Sequence, residues 1–109
     1  MDINNWKMQM RKGYLELCIL ALIHEKKKLY GLEILELLSE VKLSVKEGTL
    51  YPLLSRLSED GLLSSSWVTE NNKGHPRKFY SLTKDGQKLS KEMNEEFQNM
   101  ISILEKLKK

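Results

Sequence analysis

From Gly13 to Glu25 the chain reads GYLELCILALIHE, apolar on nearly every side, which predicts a core helix buried over most of its circumference. The charged run EKKKL interrupts that pattern and reads as a short connection. In YGLEILELLSE the polar residues Glu33, Glu36 and Glu40 recur at steps of three and four, leaving Ile34, Leu35, Leu37, Leu38 and Val41 on the other side. That spacing predicts a second, amphipathic helix.

A third helix follows. Ser44 and Glu47 have capping-box spacing, but Pro52 removes a backbone donor and crowds the carbonyl of Gly48. Two starts fit: Ser44 with a bend, or Gly48 to Thr49 with Pro52 in the first turn. Either way Leu50, Leu53, Leu54 and Leu57 form an inner face, and Gly61 ends the helix. Leu63 to Thr69 and Arg77 to Leu82 read as two strands of a hairpin around the polar loop ENNKGHP, and Trp67 is expected to pack. The last helix opens at the cap residue Thr83 and carries Leu89, Met93, Phe97, Met100, Leu104 and Leu107 as a seam of near-heptad period. Such a stripe suits a second chain, the alternative being a brace across the first helix.

Helix, turn, helix and basic hairpin is the order of a winged helix-turn-helix, so the expected fold is mainly α with a small β hairpin. We divide it into residues 1–83, the DNA-binding part, and 84–109, a C-terminal dimerisation helix.

Charge sharpens this. The net charge is only +3, but residues 42–91 hold nine basic against five acidic side chains, while the flanking segments are near balance. A localised cationic surface is the footprint of phosphate binding. The longest apolar run, Leu17 to Ile23, is too short to span a membrane, and MDINNWKMQM lacks a secretory pattern, so a cytoplasmic protein is expected. The single cysteine, Cys18, reads as a small core hydrophobe. Neither His24, His75 nor Cys18 has the partners of a nucleophile or metal site, so neither an enzyme nor a cofactor is expected.

The strings GTLYPLLSRLSEDGLLSSSW and GHPRKFYSLTKDG, with ILALI and YGLEI upstream, resemble the PadR family of bacterial transcriptional regulators, in its short form with one C-terminal helix. The resemblance runs from about Gly13 to Leu89. It implies a winged helix that dimerises through its last helix and represses nearby genes, with release by an effector. For members that take flat, drug-like compounds it implies a pocket between the C-terminal helices, some of which carry a tryptophan there. This chain offers Met93, Phe97 and Met100, with Trp6, Met8 and Met10 as walls; a filled dimer core is the plainer reading of the same residues.

On the third helix, Lys46, Thr49, Tyr51, Ser55 and Arg56 are expected to point outward toward a major groove. In the wing, Lys73, His75, Arg77 and Lys78 surround Gly74; Arg77 and Lys78 should face opposite sides, so one of the two can be structural. The expected function is sequence-specific DNA binding by a homodimer on a palindromic operator. The alternative is a protein-interaction module that holds a partner helix in the Met-rich seam, against which the basic wing argues.

Overall fold

The computed structural model describes residues 2–69 and 74–109. Along the chain run α1 (Ile3–Lys26), β1 (Leu29–Tyr30), α2 (Gly31–Glu40), α3 (Glu47–Glu59), β2 (Leu63–Val68), β3 (Arg77–Leu82) and α4 (Lys84–Leu107). The strands form one antiparallel sheet in the order β1-β3-β2, so the expected hairpin gains a third strand. That strand joins Leu29, the last residue of the expected connection, to Tyr30, the first of the expected second helix; they align with Tyr80 and Phe79.

Alternation divides the sheet cleanly. Leu29, Leu63, Tyr80 and Leu82 lie on one face by register, and the first three are buried in the core. The helices supply the rest of that core: Leu15, Ile19, Leu20 and Ile23 from α1, Ile34 and Leu38 from α2, and the four leucines of α3. On the opposite face Phe79 packs edge-on against Tyr30, with ring centroids 5.2 Å apart.

The ends of the helices explain their lengths. Asp2 caps α1 by accepting from the Asn5 N–H at 2.9 Å, so the helix begins well before the apolar run and leaves residues 3–14 exposed. At α2 the Tyr30 N–H donates to the Glu33 carboxylate at 3.1 Å. Its far end turns through Lys42 at φ 66°, which leaves Val41 exposed rather than on the inner face.

The start of α3 lies at Glu47, next to the later of the two anticipated positions and well after Ser44, but Pro52 is not in the first turn. Lys46 is the cap, and its carbonyl accepts from both Thr49 and Leu50 at 3.0 Å, so Pro52 falls in the second turn. Ser44 is occupied otherwise, its carbonyl accepting from the Arg11 guanidinium. The helix closes at Gly61, whose N–H donates to Ser58 while Leu62 donates to Leu57 at 2.9 Å, a Schellman pattern.

Thr83 caps α4 as expected: its hydroxyl donates to the Gly61 carbonyl and accepts from the Gly86 N–H at 3.0 Å. The first turn of α4 presses so closely on Leu62 that a Cβ at Gly86 would run into the Leu62 carbonyl oxygen. This contact aims α4 back along α1.

Candidate nucleic-acid interface

With Leu50, Leu53, Leu54 and Leu57 buried, helical geometry sets which side chains of α3 face water. The outermost strip is Gly48, Pro52, Ser55 and Glu59, all exposed. Tyr51 lies on one flank of that strip, Thr49 and Arg56 on the other; Tyr51 and Arg56 are separated by about 140° around the axis. Each flank meets a different neighbour.

On the Tyr51 side the phenol ring lies over the start of α2, so close that a Cβ at Gly31 would stand 2.5 Å from its hydroxyl. Tyr51 is therefore held in place, partly exposed, rather than free to reach outward. It also stands near Tyr80, whose phenol is raised above its ordinary pKa chiefly by burial and secondarily by Tyr51. On the other side Arg56 forms an ion pair with Glu16 of α1. The guanidinium expected to enter a groove is thus tied to the chain's own first helix.

Between α1 and α3 lies an open cleft of about 700 Å³. Leu15, Val45, Pro52 and Leu53 line its apolar parts; Arg11, Lys12, Lys46 and Arg56 bring four cations to it, against the single carboxylate of Glu16. Arg11 and Lys12 were not among the expected site residues. The basic pair follows Met10 directly in the sequence, but only the length of α1 places it beside the start of α3. Met8 lines the same cleft and is 71% exposed. It therefore stands apart from Trp6 and Met10, two residues away on the other side of the helix.

In the wing, Lys73 lies outside the described residues. His75 and Arg77 are exposed, and Lys78 is half-buried. Arg77 and Lys78 do face opposite sides. Arg77 donates to the Tyr30 hydroxyl at 3.1 Å and stacks over that ring at 4.7 Å, on the sheet face away from the core. Lys78 stands on the core-side face, with its ammonium 5.5 Å from the Tyr80 ring and 6.0 Å from that of Trp67. Trp67 itself is 69% exposed, so the expectation that it packs is overturned: the helices roof that face at Leu63 and Tyr80 but do not extend to its outer end.

The C-terminal seam splits. Met93 packs against the core, and Phe97 meets Tyr14 of α1 at 5.7 Å between ring centroids, so the near half of the stripe braces α1 within the chain. Leu89 is half-buried in the same stretch. Beyond Phe97, Met100, Leu104 and Leu107 are exposed, as are Ile101 and Ile103 beside them. Trp6 and Met10, on the Tyr14 side of α1, are exposed too. Cys18 is half-buried rather than part of the core; burial raises its thiol pKa, and the bonded Tyr14 hydroxyl partly offsets this.

A helix with a polar outer strip, preceded by a second helix and followed by a cationic hairpin, defines a winged helix-turn-helix of the DNA-binding class. Comparison gives the family: residues 19–98 match the transcriptional regulator PadR-like family, and the chain belongs to it. It is 44% identical to a PadR-like transcription factor from Bacteroides fragilis, with a TM-score of 0.80 over 94% of this chain and 98% of that one. A PadR family transcriptional regulator from Eggerthella lenta superposes with a TM-score of 0.84 at 28% identity, covering 96% and 90% of the two chains. A PadR-like regulator from Bacillus cereus gives 0.77 at 31% identity over 91% and 95%. No match was found among curated proteins. Among the described residues, no helix is long and apolar enough to cross a membrane.

Proposed function

We propose that this DNA-binding regulator is a homodimeric repressor that reads a palindromic duplex with α3 and the wing and lets go when a small molecule binds. The observation that carries the reading is the exposed N-terminal half of α3. Thr49 and Pro52 are exposed there, as are the cap residue Lys46 before them and Ser55 just beyond, and Gly48 leaves the backbone open. Recognition helices contact base edges mainly through their N-terminal residues.

Lys46, Lys78 and the imidazole N–H of His75 supply phosphate contacts in this arrangement, with Arg11 and Lys12 extending them along α1. Arg77 acts by holding Tyr30 and so the sheet. Dimerisation uses the far half of the α1 and α4 pair, whose apolar side chains are left exposed by the described residues. It brings two α3 helices to one face of the duplex, about 34 Å apart for half-sites one turn apart. Residues 1–83 then read and residues 84–109 pair.

The effector is an aromatic or drug-like compound held where the paired helices meet. Its walls would be Trp6 and Met10 with Met100 and Leu104, Met93 and Phe97 being already engaged with α1. Met8, on the other side, is not among them. To act, the compound must bind one spacing of the two reading helices better than the other.

Fluorescence anisotropy on labelled duplexes from the DNA upstream of the gene tests the reading. Affinity should fall steeply with salt, log K dropping by about 0.9 per phosphate neutralised for each decade of salt. A chain that binds none of these duplexes at low salt is not the regulator proposed.

A further inference from the structure

Among the described residues, Lys78 alone makes a ring contact with Trp67. Trp67 is 69% exposed, one of the most exposed large apolar side chains, yet it sits in a regular strand with its backbone paired to Lys78. Its face of the sheet is the one turned toward α3, since Tyr80, two residues from Lys78 on that face, is buried near Tyr51. Tyr51, Tyr80, Lys78 and Trp67 therefore succeed one another from the reading helix toward the outer end of the wing.

We propose that Trp67 is a DNA contact of the wing, laying its indole against the deoxyribose edge of a groove while Lys78, held over the ring, reaches the neighbouring phosphate. This rests on the DNA-binding reading above. The surroundings of the ring choose the partner. A protein interface needs contiguous apolar area, usually several hundred square ångströms. On that face the neighbours of the ring are the exposed hydroxyl of Ser65 and the Lys78 ammonium, with Tyr80 beyond them buried, so among the described residues the indole stands beside polar groups rather than within an apolar patch. A duplex suits that layout: sugars offer small apolar faces between phosphates, hydroxyls and cations bind the phosphates, and minor-groove readers use single apolar side chains beside basic ones. The Lys78 ammonium, 6.0 Å from the ring centroid, supplies the adjacent charge.

The chain has two tryptophans, and Trp6 lies in the half assigned to dimerisation, so the emission of Trp67 is read as the difference between the parent and Trp67→Phe. Titration of the two proteins with a duplex that anisotropy shows to be bound should shift Trp67 emission to the blue and shield it from acrylamide. Trp67→Ala should weaken that duplex about tenfold, and Trp67→Phe should restore most of the affinity. Because the side chain is exposed, the alanine variant should melt like the parent. The fluorescence arm does not depend on that variant.

Unchanged emission and quenching in the bound complex overturn the proposal while leaving DNA binding intact. So does full affinity in Trp67→Ala. Shielding that rises with protein concentration in the absence of DNA would make Trp67 a seat for a second copy instead. Failure of the labelled duplexes to bind at all would remove the underlying function, a separate readout from the other three.

Discussion

The pair formed by α1 and α4 has two halves that are chemically alike and physically opposite. In the near half, Leu15, Ile19, Leu20 and Ile23 of α1 enter the core, Met93 packs against it, and Tyr14 meets Phe97. In the far half, Ile3, Trp6 and Met10 of α1 and Met100, Ile101, Leu104 and Leu107 of α4 are exposed. Leucine, isoleucine and methionine occur in both. What differs is the cover: α2, α3 and the sheet close over the near half and stop there. A helix stripe thus records that burial is wanted, while the fold decides whether the chain or a second copy provides it.

Two leucine truncations break that symmetry most sharply. Leu54 is fully buried, so Leu54→Ala should cost about 2–5 kcal/mol through lost transfer energy and the cavity left behind, at every protein concentration. Leu104 is 52% exposed. Leu104→Ala should change the stability of the isolated chain by less than about 1 kcal/mol, yet raise the dimer dissociation constant about tenfold. Chemical unfolding followed across protein concentration, with light scattering for mass, separates the two. A Leu104→Ala chain that dimerises like the parent would remove the far half from the interface.

This contrast also marks where the sequence could be read and where it could not. The four α3 leucines, the cap at Thr83 and the opposition of Arg77 to Lys78 follow from periodicity and local hydrogen bonding, which act within a few residues. The winged fold and its family were legible for the same reason, reinforced by motifs that span most of the chain. The failures concern what lies across space. A two-residue strand has too little alternation to register, so Leu29 reads as the end of a connection and Tyr30 as the start of the second helix. Alternation put Trp67 on a definite face but could not say that the helices end before reaching it. Helical spacing brought Arg56 to the polar side of α3 without revealing that Glu16 waits on that flank. Met8 was grouped with Trp6 and Met10 by proximity in the sequence, although a helix turns such neighbours apart.

The Arg56 ion pair sharpens the comparison of the two flanks of α3. Both partners retain some exposure, so the pair adds little stability, and its interest lies in where it holds the guanidinium. Glu16→Gln removes one negative charge near the reading surface and frees Arg56. Affinity for duplex DNA should rise about threefold, and the salt slope should steepen by up to about 0.9 as one further phosphate contact becomes available. Arg56→Ala in the parent should shift that slope by much less. If Arg56→Ala alone flattens the slope by a full contact, the arginine already sits on a phosphate and Glu16 does not restrain it.

The smallest effect tests the junction between the two halves, where Cys18 lies one helical turn from Tyr14 and lines a cavity with Leu22, Leu37 and Leu43. Burial raises the thiol above its usual pKa, and the Tyr14 hydroxyl, bonding to the sulfur, takes back only part of the rise. Near pH 8 the folded chain should therefore hold less thiolate than the unfolded chain and react more slowly with iodoacetamide, with a rate that keeps climbing at pH values where an ordinary thiol has levelled off. Linkage fixes the sign for stability: the contribution from keeping the thiol neutral is fully present below the ordinary thiol pKa and is lost as pH rises toward the raised one. Replacing Tyr14 by Phe removes the offsetting bond, so alkylation should slow further; faster alkylation would mean that the tyrosine shields the sulfur sterically rather than acting on its charge.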